Sequence, residues 1–252
     1  PTLTNTGRVY VYHGSSTGLS ATPAFVADGE NLLDDFGFSV ASAGDVNGDG
    51  FADLIVGARY FGHDLRGRVY VYHGSSGGLG SSPVFTQDGA AEYDYLGYHV
   101  ASAGDVNGDG FADVIFSASR YERPGVLYVH HGSASGLVVT PALTFTSGIT
   151  DECFGCFLAT AGDVNGDGFA DIVVGAKDYL TYTGRMYVYH GSSGGLSPTP
   201  AFTATGEAER DYFGRSVAAA GDVNGDGYAD VVVGADGYDA VSYTHLTLPT
   251  KA

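Results

Sequence analysis

Tryptophan is absent from this chain, methionine occurs once, and cysteine occurs only as Cys153 and Cys156. Two cysteines are too few for a disulfide-built scaffold. Lys and Arg number 11 against 29 acidic residues, a formal charge of −18, with no basic cluster. Nucleic acid is therefore not expected as a partner, because phosphate binding rests on clustered Lys and Arg. No run of 18 apolar residues exists, so no membrane-spanning helix is expected. The start shows no charged-then-apolar leader, which says little in a chain that opens in the middle of a repeat. There is no Gly-x-Ser-x-Gly elbow and no Gly-Lys-Ser/Thr phosphate loop. The near misses around Ser16 and Ser76 recur as the same Gly-Ser-Ser turn, so duplication of a turn explains them. No enzyme is expected in these residues.

What is present in abundance is glycine, 40 residues, about twice the usual share. Much of it recurs in one motif. Gly44–Ala58 reads GDVNGDGFADLIVGA and returns at Gly104–Ala118, Gly162–Ala176 and Gly221–Ala235, with GDVNGDG identical in all four. Oxygens stand at alternate positions: Asp45, Asn47, Asp49, the carbonyl of Phe51, then Asp53. Donors at positions 1, 3, 5, 7 and 9 of a tight loop suit a hard cation such as Ca²⁺, and Gly50 at position 6 supplies the sharp turn. An EF-hand would need Glu at position 12 and flanking helices. Here position 12 is Val56, Phe116, Val174 or Val233, inside a short apolar run that reads as a strand. A bare Asp/Asn/Gly turn that binds nothing is the alternative. Against it, the carboxylates crowded into each of four loops repel one another unless a cation lies between them. The loops hold twelve of the 29 acids, and four Ca²⁺ would bring the charge from −18 to −10.

The loops start 60, 58 and 59 residues apart. Each period carries four candidate strands. The first enters the loop (Phe36–Ala43) and the second leaves it (Ala52–Ala58). The third is Gly-Arg-Val-Tyr-Val-Tyr-His-Gly (7–14, 67–74, with variants at 125–132 and 184–191), and the fourth is short, as in Pro23–Val26. Val-Tyr-Val-Tyr is apolar throughout, so both faces of that strand should be covered. Sheets packed face to face around an axis do this, which predicts an all-β fold, a β-propeller of four-stranded antiparallel blades. The chain then holds three full repeats and two half blades.

Phe36-Gly37 and Gly57-Ala58, flanking DVNGDGFAD, resemble the FG-GAP repeat of integrin α-chain propellers and their bacterial relatives, over residues 7 to about 240. The resemblance implies metal ligands at Asp45, Asn47, Asp49, Phe51 and Asp53, then Asp105, Asn107, Asp109, Phe111 and Asp113. The third set is Asp163, Asn165, Asp167, Phe169 and Asp171, and the fourth Asp222, Asn224, Asp226, Tyr228 and Asp230, the aromatic residue giving only its carbonyl. About four Ca²⁺ are implied, one per loop. Leu96-Gly97 and Ser117-Ala118 depart from the pattern in the second repeat and soften its packing motif. The family usually has seven blades, about 413 residues at this repeat length. Residues 1–240 are therefore expected to be a fragment of a larger propeller, with a closed four-bladed ring as the lesser alternative. Residues 241–252 fit no part of the repeat and look like translated adaptor sequence.

The implied function is a calcium-stabilised extracellular module for adhesion or for binding a protein or glycan ligand. Alternatives are an accessory propeller of a secreted phospholipase or glycan hydrolase, and a lectin-like propeller whose 18 tyrosines stack on sugars. Recurrent His13, His73, His131 and His190 read as partly exposed strand-end residues, since no Cys or Glu recurs beside them at zinc spacing. Cys153-Phe-Gly-Cys156 falls on a predicted strand and reads as ordinary side chains, with a local disulfide left open for a secreted chain.

Overall fold

The computed structural model describes residues 6–119, 124–150 and 152–238. The first elements are β1 (Arg8–Val11), a small hairpin β2 (Gly14–Ser15) and β3 (Gly18–Leu19), and β4 (Phe25–Asp28). Three repeats of four strands follow. They are β5 (Phe36–Gly44), β6 (Asp53–Ala58), β7 (Arg68–Tyr72) and β8 (Phe85–Asp88); then β9 (Leu96–Gly104), β10 (Asp113–Ala118), β11 (Val126–His130) and β12 (Leu143–Phe145). The third set is β13 (Phe157–Gly162), β14 (Asp171–Ala176), β15 (Arg185–Tyr189) and β16 (Phe202–Thr205), and a last pair is β17 (Ser216–Gly221) and β18 (Asp230–Gly234). Each set of four forms one antiparallel sheet in chain order, while β1–β4 and β17–β18 form two-stranded half-sheets. The first strands β5, β9, β13 and β17 lie side by side in succession. This is the expected all-β arrangement of blades. Among the described residues no ladder joins the two half-sheets, so the closed four-bladed ring is not seen. The expected foreign tail, 241–252, lies outside the described residues.

Alternation along the third strand explains why every position is apolar. Tyr70 and Tyr72 face the preceding sheet and join Val9, Phe25 and Phe36 in one core. Val69 and Val71 face the following sheet, with Leu96, Val114 and Tyr128. The next interface repeats this with Leu127 and Val129 against Tyr187 and Tyr189. A strand buried on both sides lays one period-2 face on each neighbour. Edge-to-face aromatic pairs build these cores: Phe145–Tyr189 at 4.9 Å joins two sheets, while Phe36–Tyr70 at 5.1 Å and Phe154–Tyr187 at 5.3 Å each lie within one repeat. The segment around β1, in a half-sheet, shows the converse, with Tyr10 and Tyr12 exposed.

Glycine sets the distance between blades. A Cβ on Gly57 would stand 2.1 Å from the Gly97 carbonyl oxygen, and one on Gly175 would stand 2.0 Å from that of Gly214. Thus the glycine of the first and third Gly-Ala meets the glycine of the next repeat's Leu-Gly or Phe-Gly. At the second interface Ser117 replaces that glycine, and its hydroxyl accepts the His99 amide at 3.1 Å. Leu96 is fully buried in the phenylalanine position. Both departures are therefore absorbed by packing.

The Cys153–Cys156 pair is a disulfide. It lies before β13 and not on a strand, correcting the sequence expectation. The reason is local: Cys153 has φ +55° and the Cys156 amide donates to its carbonyl, closing a turn at 3.1 Å. Asp35, Tyr95 and Tyr212 adopt the same positive φ ahead of the other Phe-Gly or Leu-Gly dipeptides.

Gly57→Ala should cost about 1–3 kcal/mol, because the obstacle is backbone and not a movable side chain. Ser117→Gly should change stability by less than about 1 kcal/mol. Denaturant melts of both variants check the contrast. Glu152, 2% exposed, accepts from the Tyr187 hydroxyl at 3.0 Å, while its Oε1 has no partner among the described residues. Burial pushes its carboxyl up to about 7. A folded pKa raised above the unfolded value stabilises fully below about pH 4.5 and loses that contribution as pH rises through 7. Glu152→Gln should therefore stabilise the chain at pH 8, by about 2–3 kcal/mol, and have little effect at pH 4.5.

Candidate metal centre

Each loop joins the first strand of a sheet to the second, where Asp and Gly favour turn over ladder. Gly48 (φ +72°) and Gly50 (φ +87°) take backbone conformations that a side chain would strain. Asp45 opens the loop and gathers its amides: Oδ1 accepts from Gly48 at 2.7 Å and Asp49 at 3.1 Å, and Oδ2 from Gly50 at 2.7 Å. Asn47 Oδ1 accepts the Asp49 amide at 3.0 Å, while its Nδ2 donates to Asp49 Oδ2 at 3.0 Å. Asp49 Oδ1 accepts from the Phe51 amide at 2.9 Å. Residues 1, 3 and 5 of the motif are thus linked through one turn, and none of the three is buried.

Asp53 plays a different part. It is 3% exposed, and its carboxylate accepts from Val46 N at 2.8 Å and from Gly74 N, in the turn after β7, at 2.8 Å. One carboxylate thereby ties the loop to the end of the third strand across its own sheet. Asp113 and Asp171 repeat this with Val106 and Gly132, and with Val164 and Gly191. Burial pushes all three carboxyls up, Asp113 to about 7, where Asp109 and Asp105 add their own negative charge. Burial also works against ionisation at Asp45 and Asp163, yet the loop amides outweigh it and hold both below the usual carboxylate range. At Asp222 the Gly227 amide leads the same downward shift.

Among the described residues, no group of three or more His, Cys, Asp or Glu side chains is arranged to hold a metal ion. Within each of the first three loops the position-9 carboxylate is committed to amides at the strand ends, set apart from the two more accessible ones. The donor chemistry nevertheless fits a hard cation: only oxygens, two unburied carboxylates in one amide-rich turn, and a third within electrostatic reach. A carboxylate oxygen that accepts one amide keeps a lone pair for a cation.

The repeated histidines sit where the strand-end reading puts them, His13 exposed and the other three partly so. His73 and His131 lie against turn glycines of the next sheet, Gly136 and Gly195. The third-strand tyrosines Tyr70, Tyr72, Tyr187 and Tyr189 are buried, which removes them as sugar-stacking platforms.

One relation is invisible in the spacing of oxygens. The loops touch each other. The Asp45 carbonyl accepts from Ala112 N at 3.0 Å, that of Asp105 from Ala170 N at 2.9 Å, and that of Asp163 from Ala229 N at 3.0 Å. The ring of Phe111 lies over Gly48, where a Cβ would come within 2.7 Å; Phe169 and Tyr228 cover Gly108 and Gly166 likewise. The position-7 aromatic therefore packs each loop against the one before it. A signal for it exists in the sequence: Gly at position 4 and an aromatic at position 7 in all four loops.

Stacked four-stranded antiparallel sheets, each with this acidic loop between its first and second strands, define a β-propeller built of loop-bearing repeats. A family profile described as FG-GAP-like repeat matches residues 105–174 and 163–233, and the FG-GAP repeat profile matches 36–72. The chain belongs to the FG-GAP repeat family. Among curated relatives, mouse integrin alpha-7 is 36% identical over 158 residues, covering 61% of this chain and 13% of its own. Integrin alpha-5 of Xenopus laevis is 32% identical over 205 residues, covering 75% of this chain and 19% of its own. The chain thus spans less than a fifth of these integrins. A solved structure titled "Structure of Dos1 propeller" aligns with a TM-score of 0.47 and 15% identity, over 81% of this chain and 44% of that one.

Removing Asp113 should be costlier than removing a solvent-exposed acid of the same loop. Asp113→Ala leaves the Val106 and Gly132 amides unpaired and should destabilise by about 2–4 kcal/mol, against about 1 kcal/mol for Asp109→Ala measured without added metal. Urea denaturation in chelator-treated buffer checks the order.

Proposed function

We propose that this chain is a calcium-binding, extracellular β-propeller module for adhesion or ligand binding, similar in role to the propeller of integrin α chains. The observation that carries the reading is the fourfold recurrence of one acidic loop, in the first-to-second hairpin of four successive sheets, in a chain whose relatives are integrin α chains. Asp45, Asn47, Asp49, the Phe51 carbonyl and Asp53 would hold one ion, and the equivalent residues of the other loops three more. A bound divalent cation supplies positive charge that neutralises the carboxylates and pins the hairpin, so its binding free energy adds to folding free energy. Extracellular calcium is millimolar, the regime of weak extracellular sites. Residues 1–240 are read as one propeller unit and as part of a larger ring.

Antiparallel order puts the first-to-second and third-to-fourth connections at one end of the blades. The second-to-third and fourth-to-first connections then lie at the other. While Leu19, Val138 and Val139 are exposed at the first end, that second end carries exposed Leu32, Leu33 and Tyr93 on connecting loops and Leu180 and Tyr182 on the short helical segment Tyr179–Tyr182. We assign ligand contact to this end, away from the calcium loops. No catalytic constellation enters the reading, and the role is binding.

Chelation should lower the melting temperature and added Ca²⁺ restore it. At free calcium a hundredfold above Kd each site contributes about 2.7 kcal/mol. A melting curve indifferent to both contradicts the proposal. In calorimetric titration Asp49→Ala should lose one site and keep three.

A further inference from the structure

The three inter-loop bonds involve the same peptide units that the calcium reading uses. The peptide joining Phe111 to Ala112 carries the carbonyl assigned as a ligand in the second loop and the N–H donated to Asp45 of the first. Asp45 is the opening ligand of that first loop. The Phe169–Ala170 and Tyr228–Ala229 peptides bind Asp105 and Asp163 in the same way. Alongside each bond the aromatic ring rests on the position-4 glycine of the preceding loop. The position-2 carbonyls add a second tie: Val46 O and Val106 O accept from Ser133 N and Ser192 N, in the third-to-fourth turns of the following sheets, at 3.0 Å each.

We infer that adjacent loops are energetically coupled, so that ordering one raises the calcium affinity of its neighbours. The inference rests on the calcium reading above. A carbonyl engaged by positive charge makes the N–H of its own peptide a stronger donor, because hydrogen-bonded groups polarise one another. Fixing the Phe111 carbonyl in place therefore strengthens and orients the bond from Ala112 to Asp45. The aromatic ring carries the same information sterically: it covers Gly48 only when its own loop holds its turn. Coupling between binding sites is reciprocal, so the second loop is helped by the first as much as it helps it. Contact runs from each loop to the next, and the coupling should fade with distance along the row. The first loop should feel the third only through the second.

Hydrogen exchange of loop peptides, followed by mass spectrometry during titration of the whole chain with Ca²⁺ alone, resolves the four loops separately. Asp167→Ala silences the third loop, and Asp167→Asn provides a gentler variant should the first fold poorly. The expected result is that loops 105–113 and 222–230 need at least roughly fivefold more calcium for half protection. Loop 45–53 should stay near its wild-type midpoint. Phe169→Ala, which leaves every oxygen donor in place, should reproduce the shift in loop 105–113. Unchanged midpoints in the three remaining loops would overturn the coupling while leaving calcium binding standing. A wild-type chain whose loops gain no protection from calcium overturns the calcium reading, and the coupling with it.

Discussion

Two neighbouring sheets in this protein meet backbone to backbone, and the rest of the structure depends on that approach. Each full blade has apolar residues on both faces and buries them against its neighbours. The Gly57–Gly97 and Gly175–Gly214 contacts leave no room for a Cβ. At that separation the tyrosines of one third strand reach the valines and phenylalanines of the sheet before it. The same closeness brings the acidic loops into register, Asp45 against Ala112 and Asp105 against Ala170. Packing distance and loop geometry are thus one constraint expressed at two ends of the blade.

Much of this was legible in the sequence because the repeat states it several times. Period-2 patterning of Val-Tyr-Val-Tyr, the turn glycines and the spacing of GDVNGDG place the blade strands within three residues of their observed bounds, though not the small hairpin Gly14–Leu19. What the pattern could not supply were relations between repeats. Nothing in one loop read alone indicates that Phe111 covers Gly48, or that Asp53 reaches Gly74 across its own sheet. The Cys153–Cys156 pair reads as strand from its place in the repeat, but the equivalent residues Tyr212 and Arg215 also precede their strand, Tyr212 with the same positive φ, so the first strand starts later than its letters suggest. Leu96 and Ser117 read as weakened packing in the sequence, yet both are fully buried and Ser117 accepts the His99 amide.

The candidate site divides its acids between two tasks. Asp45 and Asp49 remain accessible and bind loop amides, whereas Asp53 is buried and joins three segments of one blade. In the first three loops the position-9 carboxylate therefore holds the blade together in addition to any part it has in the loop, while the accessible pair lies with Asn47 in the turn. This division lets a single repeated motif tie the blade together while leaving two of its carboxylates accessible.

The most direct measurement is anomalous diffraction from crystals of this chain grown with calcium. Our account requires one peak per loop, four in all, each about 2.3–2.6 Å from the oxygens of its Asp, Asn and aromatic-carbonyl donors. Well-ordered loops without anomalous signal, or peaks seated elsewhere, would contradict it.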